Sequence, residues 1–107
     1  MSVIAVNIAT EKWNEVIEWL QNDGWRLTYK YENFDAGIDF DFLRLEKNKE
    51  KILMAWDNWF EGEIQCSENQ LKMLAEQLSY DYKIGEPENL KPSIIKMYDR
   101  KGIRRFL

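Results

Sequence analysis

The chain of 107 residues contains no histidine. That removes the side chain whose ordinary pKa lies nearest neutral pH, and with it every Ser–His or Cys–His nucleophile scheme and any histidine-based zinc site. There is one cysteine, Cys66, so no disulfide forms within the chain and a reducing compartment is expected. No stretch approaches the roughly 20 apolar residues that a membrane helix needs. The opening MSVIAVNIAT has a short apolar run but neither a basic leader nor a cleavage-type site, so it reads as the start of a soluble cytoplasmic protein. Internal repeats and low-complexity segments are absent. The two prolines both fall in one polar stretch, DYKIGEPENLKP.

What is present suits one domain with a true core. Hydrophobic residues make up 45% of the chain and Trp, Tyr and Phe contribute five each, which sets it apart from disordered chains. A domain of this size buries roughly two-thirds of the surface its unfolded form exposes. The charge is uneven. Residues 1–90 carry 18 acidic and 9 basic side chains, a net of −9, whereas 91–107 carry 6 basic and 1 acidic, a net of +5. Such asymmetry points to charged partners, or to a basic C-terminal segment that neutralises the body.

The hydrophobic spacing changes along the chain. VIAVNI at 3–8 reads as a short strand. Trp13, Val16, Ile17 and Leu20 then form a helical stripe, with Thr10 as its cap and Gly24 as its stop. WRLTYKYE, IDFDFLRLE, KILMAWD and WFEGEIQC read as strands joined by turns at NFDAG and KNKE. Ser67 and Gln70 form a capping box opening a helix with Leu71, Leu74, Ala75 and Leu78 on one face. The end, IIKMYDRKGIRRF, reads as a hairpin, with a short helix over 92–100 as the rival. The expectation is an α+β fold: an antiparallel meander of three to five strands packed on two helices in a single domain, 1–107, with 91–107 as the basic segment.

Burial on one face selects strand register. An odd loop such as Lys47–Lys49 aligns Phe42 with Met54 and Phe40 with Trp56, whereas an even loop puts Asp57 among the apolar residues. A loop over Asn33–Ala36 pairs Tyr29 with Phe40 and Leu27 with Phe42. This register predicts one core face of Leu27, Tyr29, Tyr31, Ile38, Phe40, Phe42, Met54, Trp56, Phe60, Ile64 and Cys66. The other face then carries Lys30, Asp39, Asp41, Asp57, Trp59, Glu61 and Glu63, with Asp39 across from Asp57. Leu43, Leu45, Leu53 and Ala55 fall at its far end and need cover, which the basic C-terminal segment is placed to give.

Three readings of this acidic aromatic face compete. It is a solvated sheet face kept charged against aggregation. It is a protein-binding surface in which Trp59 is the anchor and Asp39, Asp41, Asp57, Glu61 and Glu63 steer a basic partner. Or Asp39, Asp41, Asp57 and Glu61 gather oxygen ligands for Mg²⁺ or Ca²⁺, or do acid–base chemistry, although no EF-hand spacing is present. Cys66 beside a helix start is either a thiol of lowered pKa or a small buried hydrophobe. Lys96, Arg100, Lys101, Arg104 and Arg105 suit phosphate contacts, but the acidic body argues against a nucleic-acid binder.

A small acidic α+β body with GIDFDF and WDNWFEGEI in its central strands resembles immunity proteins that neutralise bacterial toxins, including those of contact-dependent inhibition systems. The resemblance spans about residues 25–66 and transfers no individual residue role. It implies a non-enzymatic protein that binds one cognate toxin tightly, often a nuclease. The acidic body adds that this partner is basic, and no cofactor, metal, membrane or direct nucleic-acid contact is expected. The alternatives from the residues themselves are a small metal-dependent or carboxylate-based enzyme and a structural or adaptor domain.

Overall fold

A computed structural model describes residues 2–35 and 38–91, excepting the side chains of 31–35, 38 and 39. The elements run β1 (Ser2–Ile8), α1 (Thr10–Asn22), β2 (Arg26–Asp35), β3 (Ile38–Lys47), β4 (Glu50–Asp57), β5 (Glu61–Ser67), α2 (Glu68–Leu78) and β6 (Lys83–Ile84). The strands form one sheet in the order β2-β3-β4-β5-β1-β6, antiparallel throughout. The α+β architecture is as the sequence predicts. With six strands the sheet is one wider than the expected range, because the N-terminal strand inserts between β5 and β6.

The helices form where the spacing places them. Trp13, Val16 and Leu20 are the buried stripe of α1, which ends at Asn22 and is followed by its C-cap Asp23 and then by Gly24 with φ +94°. Thr10 is not its cap. Ala9 holds that position without a side-chain bond, and Thr10 opens the helix with its Oγ1 accepting the Trp56 indole N–H at 2.9 Å. The capping box of α2 has both of its bonds: Gln70 N–H to Ser67 Oγ at 3.1 Å and Ser67 N–H to Gln70 Oε1 at 2.8 Å.

The strand register differs from the expected one. Lys47 pairs with Glu50, so the β3–β4 loop has two residues, Asn48 and Lys49, both with positive φ (50° and 70°). Two-residue loops with positive φ at both positions match the twist of a hairpin, and that preference sets the register here. Phe40 therefore lies across from Asp57, Phe42 from Ala55 and Leu43 from Met54. In the β2–β3 pair Tyr29 lies across from Arg44 and Leu27 from Leu45, with a bulge between them.

Both faces of the sheet are consequently apolar. One packs on the helices through Leu43, Leu45, Ile52, Met54, Ile64 and Cys66 against Trp13, Val16, Leu20, Leu71 and Leu74. The other gathers Tyr29, Phe40, Phe42 and Ala55 around Leu90, with Ile4 and Leu53 beside them. The predicted single core face is thus divided: Tyr29, Phe40 and Phe42 lie opposite Met54, Ile64 and Cys66. Leu43 and Leu45 belong to the helix side, and Phe60 and Leu27 are not in the core at all. Each large side chain buried in these layers contributes about 1.5–3 kcal/mol. The expected hairpin or helix after residue 91, the phosphate-contacting basic residues and the cover proposed for the outer leucines lie outside the described residues.

One glycine fixes where α1 sits on the sheet. A Cβ on Gly62 would overlap the Trp13 ring, and the Trp13 indole N–H donates to the Glu63 carbonyl at 3.3 Å. The strand backbone meets the aromatic face directly, which only glycine permits.

Candidate protein-binding site

The β4–β5 connection carries the most exposed large aromatic among the described residues. Asp57 pairs with Glu61, leaving Asn58, Trp59 and Phe60 as a three-residue loop. Trp59 is 72% exposed and Phe60 44%. A polar frame holds the backbone that carries these two rings. Asp57 Oδ1 accepts the backbone N–H of Trp59 at 2.7 Å and of Phe60 at 2.6 Å, and Asp57 Oδ2 accepts the Asn89 amide N–H at 2.7 Å. An Asp that closes a turn through its own carboxylate is a local device, legible in principle from the D-N-W-F order. From the other side, the Asn7 side chain donates to the Phe60 carbonyl at 3.3 Å.

Two non-glycine residues with left-handed backbone flank the loop, Asn7 (φ 53°) and Glu61 (φ 60°). Asn tolerates that conformation, whereas Glu at the end of a three-residue hairpin loop occupies a position that glycine fills best. Such conformations persist only where the surroundings over-determine them.

Glu63, on the same sheet face as Asp57, is 1% exposed. Its carboxylate accepts three consecutive backbone N–H groups from the connector: Glu88 at 2.7 Å, Asn89 at 3.1 Å and Leu90 at 2.9 Å. A buried carboxylate is tolerable when donors surround it, and these charge-assisted bonds anchor the segment whose Leu90 seals the second apolar cluster.

These facts redistribute the six residues expected on one acidic surface. Trp59 stands outside, as expected, and Glu61 is exposed beside it. Asp57, 6% exposed, and Glu63 are buried and bonded, so neither presents charge to solvent. Asp41 pairs with Trp56 and alternates onto the helix side of β3, away from Asp57 and Glu63. The residue across from Asp57 is Phe40, not Asp39, whose backbone pairs with Phe34 and whose side chain lies outside the description. The physical reason is one of satisfaction: the connector supplies donors for Asp57 and Glu63, so burying them does not carry the penalty that the sequence reading assigned to that register. Phe60, Asn7 and Asn89 are the site residues that sequence reasoning missed. Phe60 passed for a core residue by alternation, and Asn89 gives no local signal.

The chemistry open to these groups is limited. Among the described residues no three carboxylates or thiols gather where a metal ion would sit. N–H donors already bond both oxygens of Asp57 and both of Glu63. Cys66 is 2% exposed, and burial pushes its thiol up to about 12, which overturns the reading of a lowered pKa. No helix among the described residues is long and apolar enough to cross a membrane. Comparison with known proteins yields no matching family model, curated protein or solved structure.

Proposed function

We propose that this chain is a non-enzymatic protein-binding protein whose anchor is the Trp59–Phe60 pair, and that it belongs to the toxin-neutralising immunity kind, acting in the cytoplasm on a basic, nuclease-type partner. The observation that carries the binding reading is the exposure of two adjacent aromatic rings on a loop that six polar groups hold still: the Asp57 carboxylate, the Trp59 and Phe60 amides, the Asn89 amide, the Phe60 carbonyl and the Asn7 amide. Exposed tryptophan on a rigid frame is what an interface hot spot requires, since little conformational entropy is lost on binding. The body's excess of acidic residues raises the encounter rate with a basic partner, and Glu61 beside the rings supplies a local negative charge. Asp57 and Glu63 serve the site as its framework and not as its charge.

The deciding experiment captures the partner from the native host with the wild-type chain, and then titrates that partner against Trp59→Ala. Affinity should fall by more than about 1 kcal/mol while the fold is retained. Equal affinity in the folded variant would remove Trp59 from the interface. A toxin reading frame beside this one would identify the partner class directly, and a captured partner that is neither basic nor toxic would refute the immunity assignment while leaving the anchor in place.

A further inference from the structure

The aromatic turn and the connector at 88–90 are joined through opposite oxygens of one carboxylate. Among the described residues, Asp57 Oδ1 bonds only within the turn, and Oδ2 bonds only to Asn89. The connector is in turn seated by Glu63, which takes its three backbone N–H groups. We propose that these parts form a latch: Asn89 is a positioning residue for the Trp59–Phe60 anchor, and the anchor is rigid only while the connector is seated. The inference rests on the reading of that turn as the partner-binding site and adds how the site is regulated.

The physical case is one of competing demands on Asp57. With Asn89 in place its carboxylate is fixed in one orientation, which aims Oδ1 at the Trp59 and Phe60 amides. Once the connector lifts away, water reaches Oδ2, the side chain is free to rotate, and the turn amides exchange their internal acceptor for solvent. The flanking left-handed residues Asn7 and Glu61 then lose part of what holds them, and the backbone relaxes toward its ordinary conformations. A partner that grips rigid rings binds the seated state better, so seating and binding are thermodynamically linked and each promotes the other. Any event that pulls on the chain beyond Leu90 thereby reaches a binding surface it does not touch.

Amide hydrogen exchange on the full chain tests this without a partner. The readout is the exchange rate of the Trp59 and Phe60 amides divided by that of the Leu20 amide in α1, taken in the same sample so that the ratio rises only where the turn loosens more than the fold as a whole. Glu63→Gln lies outside the turn and replaces an acceptor by a donor beneath the connector. It should raise the ratio together with exchange at Glu88, Asn89 and Leu90. Asn89→Ala, which leaves the backbone bonds to Glu63 intact and guards against a Glu63 variant that does not fold, should raise the ratio about tenfold, the factor expected for one lost hydrogen bond to a charged acceptor. An unchanged ratio in either folded variant overturns the latch. That result is independent of the Trp59→Ala titration: a rigid coupled turn that binds nothing would sink the functional reading alone, and an uncoupled turn that still binds would sink the latch alone.

Discussion

Asp57 and Asn89 stand 32 positions apart in the chain and meet through a hydrogen bond of 2.7 Å between Oδ2 and the side-chain amide. The pair has a direction, an acceptor facing a donor, and that makes it testable by exchange. Asp57→Asn replaces the charged acceptor by a neutral amide, which Asn89 can meet only by turning its own amide over, and should lower unfolding free energy by about 1–3 kcal/mol in urea. Adding Asn89→Asp restores the complementarity with the roles reversed. The double variant should recover part of the loss, giving a coupling energy of about 1 kcal/mol or more. Strict additivity would show that the bond carries no net stability.

Gly62 supports the Trp13 ring, and a methyl group there has no room. Gly62→Ala should therefore destabilise the protein by about 1–3 kcal/mol, the usual range for overpacking, even though alanine suits a strand better than glycine. Trp13→Leu in the same background should relieve part of the strain, which denaturant midpoints of the single and double variants would show.

Trp59 should be nearly irrelevant to stability. Surface substitutions away from caps, cavities and buried bonds change unfolding free energy by about 0.5 kcal/mol or less, so Trp59→Ala should leave the thermal midpoint almost unmoved. Glu61→Gly should go further and stabilise the chain by up to about 1 kcal/mol, because the φ of 60° at that position costs glutamate more than glycine. A fall in midpoint for Glu61→Gly would mean that the glutamate side chain contributes more than its backbone costs.

Several local features could be read from the amino-acid order, and the side to which each strand turns could not. The α1 stripe, the Gly24 stop and the Ser67–Gln70 box all depend on neighbours within one or two turns, and all three are as expected. Register depends on whether a buried carboxylate finds donors. Glu63 takes its donors from a connector far along the chain, and Asp57 takes two from its own turn and one from that connector, so the cost of burying Asp57 that weighs against a two-residue loop is removed by the fold. A clue was present in ILMAW and FLRL, where residues on both alternating faces are apolar. Runs of that kind mark a sheet covered on two sides.

Cys66 and Tyr82 tie stability to alkaline pH. Burial pushes the Cys66 thiol up to about 12 from an ordinary 9.0, and burial also pushes the Tyr82 phenol up to about 12 from 10.0, with the neighbouring Tyr80, Cys66 and Glu15 adding to the rise. Both groups hold their protons more tightly when folded than unfolded. Their contribution is therefore complete below the unfolded values and is lost as pH rises through 9 toward the folded ones, because only the unfolded chain gains by ionising. Urea midpoints should hold steady from pH 7 to about 8.5 and fall progressively above about 9. Cys66→Ala should flatten the first part of that fall while lowering stability at pH 7 through the cavity it leaves. Within the native plateau a thiol reagent should modify Cys66 only as fast as the chain opens, so the labelling rate should follow the population of open molecules as denaturant is added. Rapid labelling of the folded protein at pH 7 would contradict the burial on which both expectations rest.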